Sequence, residues 1–330
     1  MRLPARFPVV CGPTAGGKTA AAVALAHLLR DSHGFGAEIV TADAFQVYRG
    51  MDIGTAKPTL AERQGVPHHL IDVVEPSERF TLDQWLNAAE AKITELRERG
   101  VLPIVVGGTH LYIKALMEGL FEGPGADASL RAELEAMDPA ARRAELERVD
   151  PAAAGRIHAN DVRRTVRALE VYRLTGRAIS DHQGQWDRRV EGEGGEGRGG
   201  GRPDALLVSL QWPTEMLNRR INLRVKQMME RGLLNEVRHI QAGGGFGPQA
   251  GEALGYKQLC TLLNKHPEPS RILLEEAVER IKIETRRFGK NQRTWVKRLS
   301  LLQGSLAVDA SSRTAGEIAQ TIANAILTHQ

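Results

Sequence analysis

The first third of the chain alternates short apolar runs with amphipathic stretches. Phe7 to Cys11 has the length and apolarity of a buried strand. Ala20 to Leu29, rich in Ala and Leu, predicts a helix after it. Glu38 to Ala42 (EIVTA) predicts a strand ending at Asp43, and Leu70 to Val74 predicts another. Thr81 and Gln84 form a capping-box pair at the head of an amphipathic helix that runs to about Arg99, where Gly100 stops it. Leu102 to Val106 (LPIVV) reads as a buried strand running into Gly107-Gly108-Thr109. Strands alternating with helices imply a parallel sheet covered on both faces.

The pattern then changes. From about Ser129 to Gly176 the chain is rich in Ala, Glu and Arg at helical spacing, with no strand, and Glu191 to Pro203 (EGEGGEGRGGGRP) cannot bury a core and predicts a flexible loop. Apolar runs return with Ala205 to Leu210. Helices are predicted at about Thr214–Arg231, Leu233–Gln241 and Ser270–Arg298, a short strand at Leu306–Val308, and a last helix capped by Thr314 with Glu317. The expected division is a sheet unit formed by 1–120 and 205–330, interrupted by an all-helical insertion at 121–204.

In open parallel sheets ligands bind beyond the C-terminal strand ends. Three segments fall there: Gly12 to Thr19, Asp43 to Gln46, and Gly107 to Thr109. The first, Gly12-Pro13-Thr14-Ala15-Gly16-Gly17-Lys18-Thr19, matches the phosphate-cradling pattern G-x-x-x-x-G-K-[ST] between a strand and a helix. Its glycines let backbone N–H groups turn onto a phosphate, the helix N-terminus adds a positive dipole, Lys18 adds charge, and the Thr19 hydroxyl can ligate Mg²⁺. The fold class expected is therefore α/β, a P-loop NTPase-like parallel sheet flanked by helices, carrying a helical insertion.

Composition narrows this only a little. The 330 residues are 42% hydrophobic, enough for a core, and no apolar run approaches the roughly 18 residues needed to span a bilayer. Cys11 and Cys260 form neither a disulfide framework nor a metal cluster, and the N-terminus lacks a secretory pattern, so a cytoplasmic location is expected. A net charge of +4 says less than the placement of the arginines. Arg220, Arg224, Gln227 and Arg231 share one helix face; Arg286, Lys290, Arg293 and Lys297 repeat the spacing beside Trp295; Arg163, Arg164 and Arg167 follow the capping residues Asn160-Asp161. One such stripe is ordinarily a solvated face. Three together favour a phosphodiester backbone as partner.

Asp43, just past a strand, suits a Mg²⁺-holding carboxylate, a general base for an acceptor, or simply a turn cap. The strand ending in Gly107-Gly108-Thr109 lacks the acidic residue an ordinary ATPase places there. His68-His69 has no third ligand at metal-like spacing.

Longer stretches carry a resemblance. Asp43-Ala44-Phe45-Gln46-Val47-Tyr48-Arg49-Gly50-Met51-Asp52-Ile53-Gly54-Thr55-Ala56-Lys57-Pro58, Pro67 to Asp72, Gly107 to Tyr112, Arg167 to Val171, Gly255-Tyr256-Lys257 and Arg286 to Arg298 are similar, in order and over most of the chain, to the tRNA dimethylallyltransferases, also called tRNA isopentenyltransferases. The resemblance implies transfer of a dimethylallyl group from dimethylallyl diphosphate to N6 of adenosine 37 in tRNA, with Mg²⁺ required and diphosphate released. It implies Asp43 as the base, with Thr109 and Arg224 also catalytic. Gly12 to Thr19 would bind the diphosphate, and Thr19, with Thr109, would lie at the metal. The tRNA contacts it implies are Asp43, Ala44, Phe45, Gln46 and Thr109 at the flipped base, Arg131, Arg163, Arg164, Thr165, Val166 and Arg167 from the insertion, and Arg286, Lys290 and Arg293. The insertion would close over the RNA as a lid, and a monomer is expected.

The chain departs from the family pattern at Ala44, where Ser is usual, at Gly16, where Ser is common, and at His110, where a small or apolar residue is usual. The absence of a zinc finger after the last helix favours the bacterial-length form. The rival activities are an adenylate dimethylallyltransferase acting on AMP or ADP, and a P-loop small-molecule kinase. The helical insertion and its arginines argue against the first, and the missing acidic residue after Val106 against the second.

Overall fold

The apolar runs from both ends of the chain assemble into one parallel sheet. In the computed structural model, which describes residues 3–119, 123–181 and 202–328, the strands are β1 (Phe7–Cys11), β2 (Ala37–Ala42), β3 (His68–His69), β4 (Leu102–Gly107), β5 (Ala205–Gln211) and β6 (Leu306–Asp309). They lie in the order β3-β2-β4-β1-β5-β6, and every neighbouring pair is parallel. The central strands β1 and β4 are buried along their whole length, as covered parallel strands should be. Before the insertion come helices α1 (Lys18–His33), α2 (Leu60–Arg63), α3 (Leu82–Glu98) and α4 (His110–Glu118). The insertion carries α5 (Ala128–Ala136), α6 (Pro139–Val149), α7 (Pro151–Arg156) and α8 (Val162–Thr175). After it come α9 (Thr214–Glu230), α10 (Leu233–Ala242), α11 (Tyr256–Lys265), α12 (Arg271–Leu299) and α13 (Ala315–Leu327).

Local chemistry sets most of these boundaries. Thr81 and Gln84 cap α3 reciprocally, as do Thr314 and Glu317 for α13; such caps contribute about 1 kcal/mol each. One predicted strand is absent. The pairing in this region falls at His68–His69, because Leu70 and Asp72 adopt left-handed backbone with φ of 59° and 55°, which no strand accommodates. Only Val74 of the predicted run pairs, as an isolated bridge to Tyr48.

Register builds the ligand edge. Cys11 and Ala42 both pair with Gly107, and Cys11 also pairs with Ser209, so Gly12, Asp43 and Gly108 emerge side by side at the C-terminal end of the sheet. Gly107 has no substitute here, since a Cβ would lie 1.9 Å from the Ala42 carbonyl oxygen. Behind this edge the buried Trp85 stacks on Tyr112 at 4.5 Å and donates its indole N–H to the Thr41 carbonyl (2.9 Å), supporting the end of β2 two residues before Asp43.

The chain divides into a sheet unit, 1–117 with 202–330, and a helical unit, 118–201. The return boundary falls slightly earlier than the composition suggests because Arg202 belongs to the sheet unit. Its guanidinium lies over the Phe7 ring and pairs with Glu90 and Asp204. The helical unit has its own small core of Leu134, Leu146, Ala153, Val166, Leu169 and Val171. Most of the Gly-rich stretch predicted at 191–203 lies outside the described residues.

Candidate active site

The loop between β1 and α1 has the cradle geometry its sequence predicts. Gly17 caps α1 with φ of 79°, and Gly16 sits where a Cβ would come within 2.8 Å of the Pro13 carbonyl oxygen. Ala15 shares the left-handed backbone, with φ of 58°. Side chains remote in sequence brace the loop. Trp212, directly after β5, donates its indole N–H to the Gly16 carbonyl (3.1 Å), and Arg220 of α9 donates Nε–H to the Ala15 carbonyl (2.7 Å). The Arg220 guanidinium stacks 4.5 Å over the Trp212 ring. Lys18 reaches back to the Pro13 carbonyl (2.9 Å). Burial, and then Arg224, push its ammonium down to about 8, while Asp43 and Cys11 act in the opposite sense.

Asp43 serves the turn it begins: Oδ1 accepts from the N–H groups of Phe45 (2.9 Å) and Gln46 (3.3 Å). The capping reading is therefore realised, with one of the two carboxylate oxygens. Thr109 precedes α4, yet its hydroxyl is not a cap. Oγ1 accepts from the N–H of Ala44 at 2.9 Å, joining the Gly-Gly-Thr loop to the Asp43 turn. That contact uses the backbone of residue 44, which an Ala supplies as well as a Ser. The Gln46 amide donates to the Thr55 and Ala56 carbonyls. His110, another of the three departures, stacks on Trp295 with ring centroids 6.1 Å apart, and burial followed by Lys18 holds its imidazole down at about 4, neutral at physiological pH.

A cavity of about 510 Å³ opens at this edge. Thr14, Asp43 and Arg224 bring polar groups to it, and Phe45, Ile221, Val225, Met228, Leu254 and Phe288 make its wall largely apolar. Arg224 is half-buried; desolvation lowers its pKa, against the attraction of Asp43. The helical spacing that groups Arg220 and Arg224 on one face thus serves two ends of the site, one arginine bracing the loop and the other facing the cavity.

The stretch from 51 to 57 is a clamped turn. Glu236 of α10 accepts from the N–H groups of Asp52, Ile53 and Gly54, and Tyr256 donates its hydroxyl to Glu236 at 2.5 Å. A Cβ on Gly54 would lie 2.4 Å from the Tyr256 ring. Lys57, 5% exposed, donates to the Tyr48 carbonyl, Asp52 and Asp72. Glu236, Tyr256, Trp212 and Gln292 escape reading from sequence, because each is defined by a partner dozens to hundreds of residues away. Arg287 and Asn291, which line the cavity, sit one residue off the basic stripe of α12.

The expected RNA-facing residues divide sharply. In the helical unit Arg163 and Arg164 are exposed, whereas Thr165 and Val166 are buried in the core. Arg131 forms a two-pronged pair with Glu170 (2.8 and 2.9 Å), and Arg167 adds a third contact at 2.6 Å. Burial alone would raise the Glu170 carboxyl; hydrogen bonds from Arg131, Arg167 and the Asp127 N–H outweigh it and hold the group below the usual carboxylate range. Thr165, Val166, Arg131 and Arg167 therefore serve first to hold the unit together. On α12, Lys290 is exposed, while Arg286 donates to Asn222 (2.7 Å) and Arg293 to Thr214. His68 and His69 are structural, His69 bonding Glu38 at 2.6 Å, and no cluster of three His, Cys, Asp or Glu among the described residues could hold a metal.

Residues 46–299 match the family described as IPP transferase. The chain belongs to the IPP transferase family. Relatives span nearly the same length. The tRNA dimethylallyltransferase 2 of Syntrophus aciditrophicus is 44% identical over 296 residues, 88% of each chain, and the tRNA dimethylallyltransferase of Pelotomaculum thermopropionicum is 42% identical over 300 residues, 88% of this chain and 87% of that one. Solved structures of IPP transferase relatives share the fold. The full-length tRNA isopentenylpyrophosphate transferase of Bacillus halodurans superposes with a TM-score of 0.67 at 35% identity, covering 98% of this chain and 97% of that one. A eukaryotic dimethylallyltransferase studied acting on tRNA gives 0.79 at 28% identity, covering 98% and 80%. The α/β fold expected of a P-loop-like prenyltransferase is thereby borne out.

Proposed function

We propose that this enzyme, a cytoplasmic monomer, transfers the dimethylallyl group of dimethylallyl diphosphate to N6 of adenosine 37 in tRNA and releases diphosphate. The observation that carries the reading is one cavity in which Asp43, Arg224 and Thr14 of the phosphate loop meet a largely apolar wall. The polar end suits a diphosphate, and the wall suits a five-carbon chain.

In this reading Lys18, Arg224 and the N–H groups at the start of α1 hold the diphosphate and stabilise the charge that builds as it leaves. An exocyclic purine amine is a poor nucleophile, so a base that takes its proton as the C–N bond forms is needed. Asp43 has that role through Oδ2, the oxygen its turn does not use, and its capped Oδ1 holds the carboxylate in place. The apolar wall keeps water from an allylic carbon that develops cationic character. The base reaches the cavity out of its stack, past Phe45 and Ala44. Mg²⁺ fits these residues. The donors are hard oxygens, and a magnesium ion that also binds substrate phosphates needs only one or two from the protein. Thr19 is the candidate ligand, with Thr109 secondary because its hydroxyl already accepts from Ala44. When bound, the metal neutralises charge on the diphosphate. Arg163 and Arg164, with Lys290, Arg286 and Arg293, supply the phosphodiester contacts.

Labelled dimethylallyl diphosphate offered with tRNA, with AMP and with neither tests this. Label on the tRNA adenine is expected. Label on AMP instead, or ATP turnover without prenyl transfer, would replace it by the adenylate or kinase activity.

A further inference from the structure

Gln292 is 2% exposed on α12, and both ends of its amide are used. Its Oε1 accepts from the N–H of Thr14 at 2.7 Å, and its Nε2 donates to the Gly108 carbonyl at 3.0 Å. The orientation follows from the partners, because a peptide N–H only donates and a carbonyl only accepts. Gly108 makes room for the contact: a Cβ there would lie 2.9 Å from Gln292 Nε2 and 3.4 Å from Lys18 Nζ.

Sheet pairing between β1 and β4 ends at Cys11 and Gly107. Beyond it, the phosphate loop and the Gly-Gly-Thr loop leave the ladder, and the Gln292 amide bridges them. The bridge is part of a longer relay. Thr14 is joined to Gly108 through Gln292; the next residue, Thr109, accepts from the N–H of Ala44; and Ala44 follows Asp43. Hydrogen bonds and single peptide units thus connect the loop that would hold the leaving group to the carboxylate that would take the proton. The bridge also occupies the Thr14 N–H, one of the loop's backbone donors.

We propose that Gln292 is a positioning residue that sets the spacing between the diphosphate loop and the Thr109–Asp43 turn. Its catalytic consequence rests on the prenyl-transfer reading above; its effect on the loop does not. Reacting groups displaced by about 1 Å lose on the order of a hundredfold in rate.

Three forms of the full chain test this: wild type, Gln292→Met, which keeps the volume but has neither end of the bridge, and Gln292→Glu. An ionised Glu accepts from Thr14 but cannot donate to Gly108. A protonated Glu does both, its O–H replacing the amide N–H. Gln292→Met is expected to lower kcat by about ten- to a hundredfold, with an unchanged KM for tRNA, and to weaken inorganic diphosphate in calorimetry. Gln292→Glu is expected to show a deficit relative to wild type that shrinks as pH falls, in turnover and in diphosphate affinity alike, a profile Gln292→Met lacks. Wild-type kcat and diphosphate affinity in the Met variant, or a deficit in the Glu variant that does not change with pH, overturns the proposal. Should the Met variant not fold, the pH profile of the Glu variant decides. A wild type that binds inorganic diphosphate but transfers no prenyl group overturns the proposed function alone, because the diphosphate affinities still read the bridge.

Discussion

Arg131 and Arg167 of the helical unit converge on one fully buried carboxylate, Glu170, while Arg224 of the sheet unit lines an open cavity with Asp43. Arg167 and Arg224 stand in helices dense with basic residues, and Arg131 is the single basic residue of α5. What separates them is the acid each meets. Glu170 has no exposed side-chain surface and needs its partners, so it binds two arginines into the architecture of its own unit. Asp43 sits at a strand end with one oxygen tied to a turn, and its arginine is set beside it in a space sized for a ligand. A basic stripe in sequence identifies a helix face; burial of the opposing carboxylate decides whether an arginine on it is tied into the core or lines the cavity.

The comparison is broken most severely at Asp43. Asp43→Asn keeps an acceptor for the Phe45 and Gln46 N–H groups but cannot take a proton, so single-turnover transfer is expected to fall by about 10²–10⁴-fold, with the melting temperature and tRNA affinity near wild type. Wild-type turnover would leave Asp43 as a turn cap only. Arg224→Met is expected next, lowering kcat/KM by about 10²–10³-fold while raising the melting temperature, because a desolvated charge is removed; a variant both less active and less stable would mean that Arg224 holds the fold.

Glu170→Ala tests the other side. It is expected to destabilise the helical unit by about 3 kcal/mol in urea unfolding, leaving diphosphate affinity intact. The same carboxylate carries a pH signature. Its pKa is lowered on folding, so its contribution is present above the unfolded carboxylate range and is lost as pH falls through the folded value. Acid should therefore unfold this unit, and less steeply in the variant.

The Lys18 pKa is also lowered on folding, so its contribution to stability likewise rises with pH, whereas its effect on ligand binding runs the other way. With its ammonium pushed down to about 8, diphosphate affinity should weaken as pH rises through that value, and Lys18→Met should show no such step. The ligand-free fold should gain stability between about pH 8 and about 10, where the unfolded lysine still holds its proton. The smallest effect belongs to the exposed pair. Arg163→Ala with Arg164→Ala should leave stability unchanged and reduce the salt slope of tRNA binding by roughly 1 to 2; an unchanged slope removes these residues from the RNA contact.

Much of the fold was legible because its signals are local. A buried strand is an apolar run, a helix start is Thr81 with Gln84 or Thr314 with Glu317, and a phosphate loop is a glycine spacing between the two. Leu70–Val74 misled for the same reason: it has strand composition, but Lys57 holds Asp72 from another turn, and the backbone at 70 and 72 turns left-handed. That Asp43 and Thr109 lie at one edge with the loop carrying Lys18 was legible from topology and the glycine motif, since parallel strands deliver their C-terminal neighbours to one edge.

Sequence alone therefore determined the layers and brought the phosphate-loop pattern, Asp43 and Gly107-Gly108-Thr109 to one edge of the sheet, because periodicity, caps and glycine spacing act within a few residues. Tertiary structure alone decided that Arg220 braces the phosphate loop, that Thr109 serves Ala44 rather than a helix cap, that Glu236 clamps the turn at 52–54, and that Gln292 bridges Thr14 to Gly108. Those assignments depend on which donor and which acceptor are left unpaired once the helices pack, and that accounting closes only in three dimensions.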